Sequence, residues 1–280
     1  MIQYRRDIDG LRAVAVLPVI FFHLGSSLFS GGYVGVDVFF VISGFLITST
    51  LRDEIEAGNF SIIRFYERRA RRILPALFAM MLVTVVAGYF IFMPDELRDL
   101  GASLAATSLF VSNILFWQQT DYFAAAVDLK PLVHTWSLAV EEQYYILFPL
   151  FLAAIGKWGG RRFVWPTLVI TLLSLAISIV SVQQASPSAY YLLPSRAWEL
   201  LAGSLIALRA VPAVKSAALR EAVAAGGLLA IVLSALLLTS ESPFPGLLAI
   251  PPVLGSAAVI HAGSSGTTWA GRLLSLPVMV

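Results

Sequence analysis

The sequence predicts an all-α fold, a polytopic bundle of about eight transmembrane helices, and three observations carry that reading. Apolar residues make up 58% of the 280-residue chain and charged residues only 13%, with a mean hydropathy of +0.83. That leaves too little polar surface to cover a soluble globule. Runs of the roughly 20 apolar residues that a crossing helix needs recur near 11–29, 34–51, 73–93, 143–156, 163–182, 190–208, 221–239 and 246–262, two of them short. Lys and Arg, finally, collect between alternate runs. One transmembrane domain over 1–280, with no soluble domain, internal repeat or low-complexity linker, is the expected organisation.

The first run is flanked by Arg5, Arg6 and Arg12, and no small-residue cleavage site follows it. It therefore reads as a retained span with the N-terminus in the cytoplasm, and the chain as a multi-pass protein of the cell (inner) membrane. At 3.6 residues per turn Arg12, Val16, Val19 and His23 form one stripe, with His23 about 16 Å from Arg12. Arg12 can snorkel to headgroups and His23 can bond a neighbouring backbone, but an ionisable group inside a span is a functional candidate. In the second run Gly31, Gly32 and Gly35 suit a turn at the outer boundary, and Ser43 and Gly44 suit close helix approach. Asp37 at the entrance of that span needs a partner, and His23 is the expected one.

Five arginines, Arg64, Arg68, Arg69, Arg71 and Arg72, precede Pro75 and the third run and place that loop inside. Arg69 and Arg72 share one helix face, with Arg68 and Arg71 beside them. Such a cluster can simply hold the loop inside against anionic lipid. Its forks also match phosphate oxygens bidentately, as a nucleotide-containing cytoplasmic substrate such as a coenzyme A thioester would require. No GxxxxGK[ST] loop is present to support ATP hydrolysis.

Residues 100–117 are apolar enough to cross, yet a crossing there would put Lys157, Arg161 and Arg162 outside. Residues 95–142 are therefore expected as an outer-face excursion with a re-entrant or interfacial helix. The excursion ends in HTWSLAVEEQYY, where an aromatic belt with solvated acids competes with a second reading, one of Glu141 and Glu142 facing headgroups and the other the bundle interior. Further on, Arg196 and Glu199 lie three residues apart on an apolar helix, most simply as an internal salt bridge. The chain has no cysteine, and no metal site is expected.

Together the segments DGLRAVAV…FFH, GYVGVDVFFVISGFLI, FYERRARRILPA, HTWSLAVEEQYY and SRAWELLAGSLIA, from Asp9 to about Gly203, resemble acyltransferase family 3 of integral membrane proteins. The resemblance implies O-acylation of an extracytoplasmic carbohydrate by a cytoplasmic acyl-CoA, usually acetyl-CoA, as donor substrate, with no permanently bound cofactor. His23 falls on the family's essential first-span histidine and Arg69 with Arg72 on its RxxR pair, while Arg12, Glu142 and Tyr191 align more loosely with other implicated polar positions. Asp37, Arg196 and Glu199 are supporting residues. Family members generally continue past a segment like LLSLP into further spans, often with an SGNH esterase-like domain, so the chain is expected to lack the family's last spans and an SGNH-type partner is implied. Neutral imidazole suits removal of a hydroxyl proton, which makes His23 the candidate base. A transporter of a polar lipid or glycan, making no bond, is the competing class, although the inverted repeats and paired broken helices of such proteins are absent from the sequence. No nucleic-acid partner is expected.

Overall fold

The computed structural model describes residues 4–120, 130–155 and 163–280. Among them every regular element is helical: α1 (Arg6–His23), α2 (Gly35–Glu56), α3 (Ile62–Ile91), α4 (Pro94–Ser108), α5 (Ser112–Gln119), α6 (Thr135–Ile155), α7 (Val164–Gln183), α8 (Ser188–Tyr191), α9 (Leu193–Ala207), α10 (Ala217–Leu237), α11 (Ile250–Ser265) and α12 (Trp269–Leu274). Short 3₁₀ turns, Gly32–Val34 and Gly246–Ala249, lead into α2 and α11. The protein is an all-α, multi-pass membrane protein. Five of its helical stretches are long and apolar enough to cross a bilayer: Gly32–Glu56, Ile62–Ile91, Val164–Gln183, Ala217–Leu237 and Gly246–Ser265.

The other three expected spans, α1, α6 and α9, are not among these five; α9 is only 15 residues long, and all three carry ionisable groups. They carry Arg12, the Glu141–Glu142 pair and the Arg196–Glu199 pair respectively. Such groups are tolerated at membrane depth only when turned toward protein or a water-filled cavity. In α9 both members of its pair, Arg196 and Glu199, are indeed buried in the interior.

Two boundaries differ from the sequence expectation. The arginine-rich segment before Pro75 is no loop, because α3 runs unbroken from Ile62 through Pro75 to Ile91. Its 30 residues span about 45 Å, against a hydrocarbon core of about 30 Å, so its basic first turns project beyond the apolar layer. Residues 94–119 form a helical hairpin rather than one long helix. α4 and α5 meet at Phe110, whose φ of 54° breaks the helix, and Lys130 Nζ joins Asp99 Oδ2 (3.0 Å) and Gln119 Oε1 (2.8 Å), so the hairpin closes where it began. Its tip is pinned by Ser112 Oγ donating to the Thr135 carbonyl (3.0 Å) and Gln143 Nε2 donating to the Phe110 carbonyl (3.0 Å). The basic loop expected at Lys157, Arg161 and Arg162 lies outside the described residues.

At the centre α2 packs against α9, and α9 against α7, while α10 and α11 form a second close pair. The α2–α9 seam depends on missing side chains: a Cβ on Gly44 would strike the Leu200 carbonyl, and one on Gly203 the Val41 carbonyl. Backbones that approach this closely gain dispersion contacts that lipid cannot replace. α3 lies on the flank, antiparallel to α6, touching it from Tyr66 (hydroxyl to the Ile146 carbonyl, 3.0 Å) to Met80 (sulfur 3.2 Å from His134 Nε2).

Candidate functional site

The bundle has two chemically distinct ends. Arg5, Arg6, Arg52, Arg209 and Arg272 border a cavity at one of them, the basic end. At the other, α1, α2, α6, α8 and the turn before α11 surround a cavity of about 810 Å³, a volume suited to a small-molecule ligand. His23, at the last turn of α1, stands on its wall with Val16 and Val19 below it, so three of the four residues of the stripe drawn from the sequence line a cavity, while Arg12 is paired with Asp9 (2.8 Å). Val36 and Phe39 of α2 face it across the space, and His134, Trp136, Tyr190 and Tyr191 close a further side.

The imidazole of His23 is exposed to this cavity, and its Nδ1 lies 2.8 Å from the Val19 carbonyl of its own helix. A carbonyl can only accept, so Nδ1 carries the hydrogen and Nε2 is left with its lone pair free. The tautomer is fixed by a backbone oxygen and not by the carboxylate expected from the sequence. His134 faces the same cavity, and partial burial and, secondarily, the nearby His23 hold its imidazole below the ordinary range. Tyr191 reaches the site on the short helix α8, whose position is set by Asn113 Nδ2 donating to the Tyr191 carbonyl (3.1 Å) and by ring contacts to Trp136.

Asp37 does not partner His23. Its Oδ1 lies 3.2 Å from Arg196 Nη1, which lies 3.1 Å from Glu199 Oε1, and all three side chains are shut off from solvent. The Arg196–Glu199 pair expected from the sequence is present, with a second carboxylate added to it. Phe40, Trp136, Tyr190 and Phe244 ring the guanidinium at 5.3–5.7 Å. Cation–π attraction and two opposite charges offset the cost of taking Arg196 out of water. Because Trp136, Tyr190 and Phe244 also line the His23 cavity, this ion cluster supports the cavity wall.

The two glutamates depart further from expectation. Glu141 accepts from Ser43 Oγ (2.8 Å) and Tyr145 Oη (3.3 Å), so it points at the middle of α2, and Glu142 is also buried. Neither faces outward, and both lie about 10 Å further along α6 than His134. Arg12 and Arg69 stand within electrostatic reach of Glu141, and Arg69 also of Glu142. The Arg69 guanidinium lies 4.3 Å from the centre of the Tyr145 ring.

The two arginine pairs of α3 also separate in role. Arg68 is bound to Glu54 (2.5 Å) and Arg71 to Glu67 (2.7 Å), whereas neither Arg69 nor Arg72 has a salt-bridge partner among the described residues. The face carrying Arg69 and Arg72 is the one left available to an external anion. One side of α2, through Ser43, Phe39 and Val36, thus leads from an arginine and two glutamates toward the histidine cavity. Chemically the arrangement offers a free imidazole nitrogen in a ligand-sized cavity and guanidinium groups at a lower level of the same face. The sequence reading gave neither His134 nor Ser43 a functional role: it places His134 at the outer face and Ser43 at a helix contact. A histidine heading the polar–aromatic string is a signal for a site residue, but Ser43 meets Glu141 across 98 residues and no local signal records that.

A family model described as an acyltransferase domain matches residues 5–276. The peptidoglycan O-acetyltransferase OatA of Listeria monocytogenes is 39% identical over 211 residues, covering 73% of this chain and 34% of the relative. O-acetyltransferase OatA of Staphylococcus aureus is 36% identical over 213 residues, covering 73% and 34%. The putative peptidoglycan O-acetyltransferase YrhL of Bacillus subtilis is 38% identical over 213 residues, covering 74% and 33%. The chain spans about a third of the length of these curated relatives. No solved structure matches it.

Proposed function

This chain belongs to acyltransferase family 3, and from that premise we propose that it moves an acyl group, an acetyl group by analogy with the O-acetyltransferases it resembles, from cytoplasmic acyl-CoA to a hydroxyl of an extracytoplasmic glycan such as peptidoglycan. The observation that carries the proposal is His23, with its Nδ1 hydrogen committed to the Val19 carbonyl and its Nε2 open to a cavity at the end of the bundle away from the arginines. The basic end faces the cytoplasm of the cell membrane in this reading, as the distribution of arginine favours.

Arg69 and Arg72, which form no salt bridge among the described residues, hold the phosphates of the donor, and Arg12, paired with Asp9 (2.8 Å), stands near the same glutamate as Arg69. The acyl end then lies along the α2 face toward His23. Nε2 takes the proton of the acceptor hydroxyl as the oxygen attacks the thioester carbonyl. Collapse of the tetrahedral intermediate breaks the carbon–sulfur bond, and the proton returns to the departing thiolate. A second route places the acyl group first on His23 or on Tyr191, from which the acceptor takes it. Glu142, buried beside Arg69, belongs to the same path as a charge that positions the guanidinium, and Asp37, Arg196 and Glu199 hold the cavity wall. An SGNH-type domain or protein is the partner class suited to accept the acyl group on the outer side.

Purified protein given radiolabelled acetyl-CoA and a chitooligosaccharide acceptor tests the reading. Labelled acceptor and free CoA should both form, whereas a transporter would leave the thioester intact. Label bound to the protein in Tyr191→Phe but lost in His23→Gln would assign the covalent carrier to His23, and the reverse would assign it to Tyr191.

A further inference from the structure

The second large cavity, about 910 Å³ at the basic end, plays no part in the path just described. Phe45, Ser49 and Arg52 give it one wall. On a helix these residues lie opposite Ser43, so this cavity and the Glu141–Arg69 site occupy opposite faces of α2. Its other walls are the start of α1, the end of α9, the α11–α12 connection and α12 itself.

Its charge is unbalanced. Five guanidinium groups line it, against two carboxylates, Asp7 and Asp53. Both acids are already engaged, Asp7 with Arg5 (2.5 Å) and Asp53 with Arg52 (2.7 Å). Arg6, Arg209 and Arg272 have no salt-bridge partner among the described residues, although they converge on one concave space. Two of the five are oriented by backbone as well: Arg5 donates to the Ile260 carbonyl and Arg52 to the Ala207 carbonyl. The three unpaired arginines are exposed to solvent at the rim of the cavity. Gathering them round a cavity raises their mutual repulsion unless an anion completes the set.

We propose that this cavity is a second anion site, specific for a phosphate-bearing ligand and separate from the acyl path. Guanidinium forks match phosphate oxygens, and the five that line this cavity come from the start of α1, from α2, from the end of α9 and from α12. Trp269 and Leu273 of α12 are exposed beside it, as suits a short helix at the bilayer interface. The phosphate comes either from an anionic phospholipid headgroup or from a soluble phosphate compound, and the chemistry is shared.

The test uses the whole protein in phosphatidylcholine nanodiscs, with thermal unfolding followed during titration of inorganic pyrophosphate, and in parallel discs containing phosphatidylglycerol. Variants R209Q/R272Q and R69Q/R72Q are compared. The proposal expects stabilisation by at least one probe that persists in R69Q/R72Q, where the donor clamp is gone, and whose half-saturating level is raised tenfold or more in R209Q/R272Q. A response to pyrophosphate in neutral discs assigns a soluble ligand, and a response confined to phosphatidylglycerol assigns a lipid. Equal responses in R209Q/R272Q and wild type, loss only in R69Q/R72Q, or no response of the wild type to either probe would overturn it. Both substituted arginines are exposed, so the variant is expected to fold, and its unliganded unfolding temperature verifies this directly.

Discussion

At His23 the structure separates chemistry from architecture. The side chain stands in the cavity, and its one polar contact among the described residues is with a carbonyl of its own helix, so its removal breaks no tertiary bond. His23→Ala should therefore insert and accumulate like the wild type while losing about 10²–10⁴-fold in transfer rate, the usual contribution of a positioned base. His23→Gln keeps a hydrogen-bonding amide but cannot accept the proton, and should be equally inactive. Wild-type transfer by either variant, normalised to protein level, would end the assignment. Arg69 makes a different prediction, because a clamp acts on the donor and not on the chemistry. Loss of one charge-assisted contact should weaken acyl-CoA binding by about 1.5–3 kcal/mol in Arg69→Ala, and Lys should restore little of it where a bidentate fork is needed. Isothermal titration with a non-hydrolysable CoA thioether measures this, and unchanged affinity in the variant would remove Arg69 from the donor site.

Among the elements, the seam between α2 and α9 holds the site in shape. Bare backbone contacts join the helices at Gly44 and Gly203, and the Asp37–Arg196–Glu199 cluster joins them nearer the histidine end. The cluster has one cation for two carboxylates, and this imbalance orders the effects of substitution. Arg196→Met leaves both carboxylates buried without a counter-charge and should destabilise by about 3–5 kcal/mol. Glu199→Gln removes the surplus negative charge, leaves the Asp37–Arg196 pair intact and should cost far less. Thermal unfolding in detergent ranks the two, and an equal loss in both would mean that the cluster's charge balance is not what holds the seam.

The same seam shows what the sequence does and does not disclose. Hydrophobic period and length located α2, α7, α10 and α11 within a few residues, because each helix is written in contiguous sequence. His23 and the Arg196–Glu199 pair were legible for the same reason, being exceptions inside a local pattern. Partner choice between helices is not local. Asp37 meets Arg196 across 159 residues, so pairing it with the histidine on the neighbouring span was reasonable from the sequence and wrong in space. Glu141 and Glu142 were misplaced because a dense polar string resembles an interface, whereas the hairpin α4–α5 covers that string and carries it inward. Only the fold-back at Phe110 makes this possible, and a single positive φ leaves no periodic signature.

For the whole molecule the decisive question is which segments share a side of the membrane, and the cavity walls give an answer that labelling can check. Thr120, at the end of the α4–α5 hairpin, lines the same cavity as His23, and the turn containing Ser27 follows α1 at that end. Asn59 lies beyond the far end of α2, 22 residues and about 33 Å away, in the turn that leads to the arginines of α3. The chain contains no cysteine, so single substitutions report without background. Ser27→Cys and Thr120→Cys should react together with a membrane-impermeant maleimide on intact cells, and Asn59→Cys should react only after the membrane is opened. Agreement between Ser27 and Thr120 tests the hairpin independently of orientation: opposite labelling would mean that residues 94–119 cross. Labelling of Asn59 with both others silent would leave the hairpin standing but invert the bundle. The arginines would then face outward, where no coenzyme A is available, and His23 would face the cytoplasm. That inversion would dismantle the proposed direction of transfer even if every contact in the structure were correct.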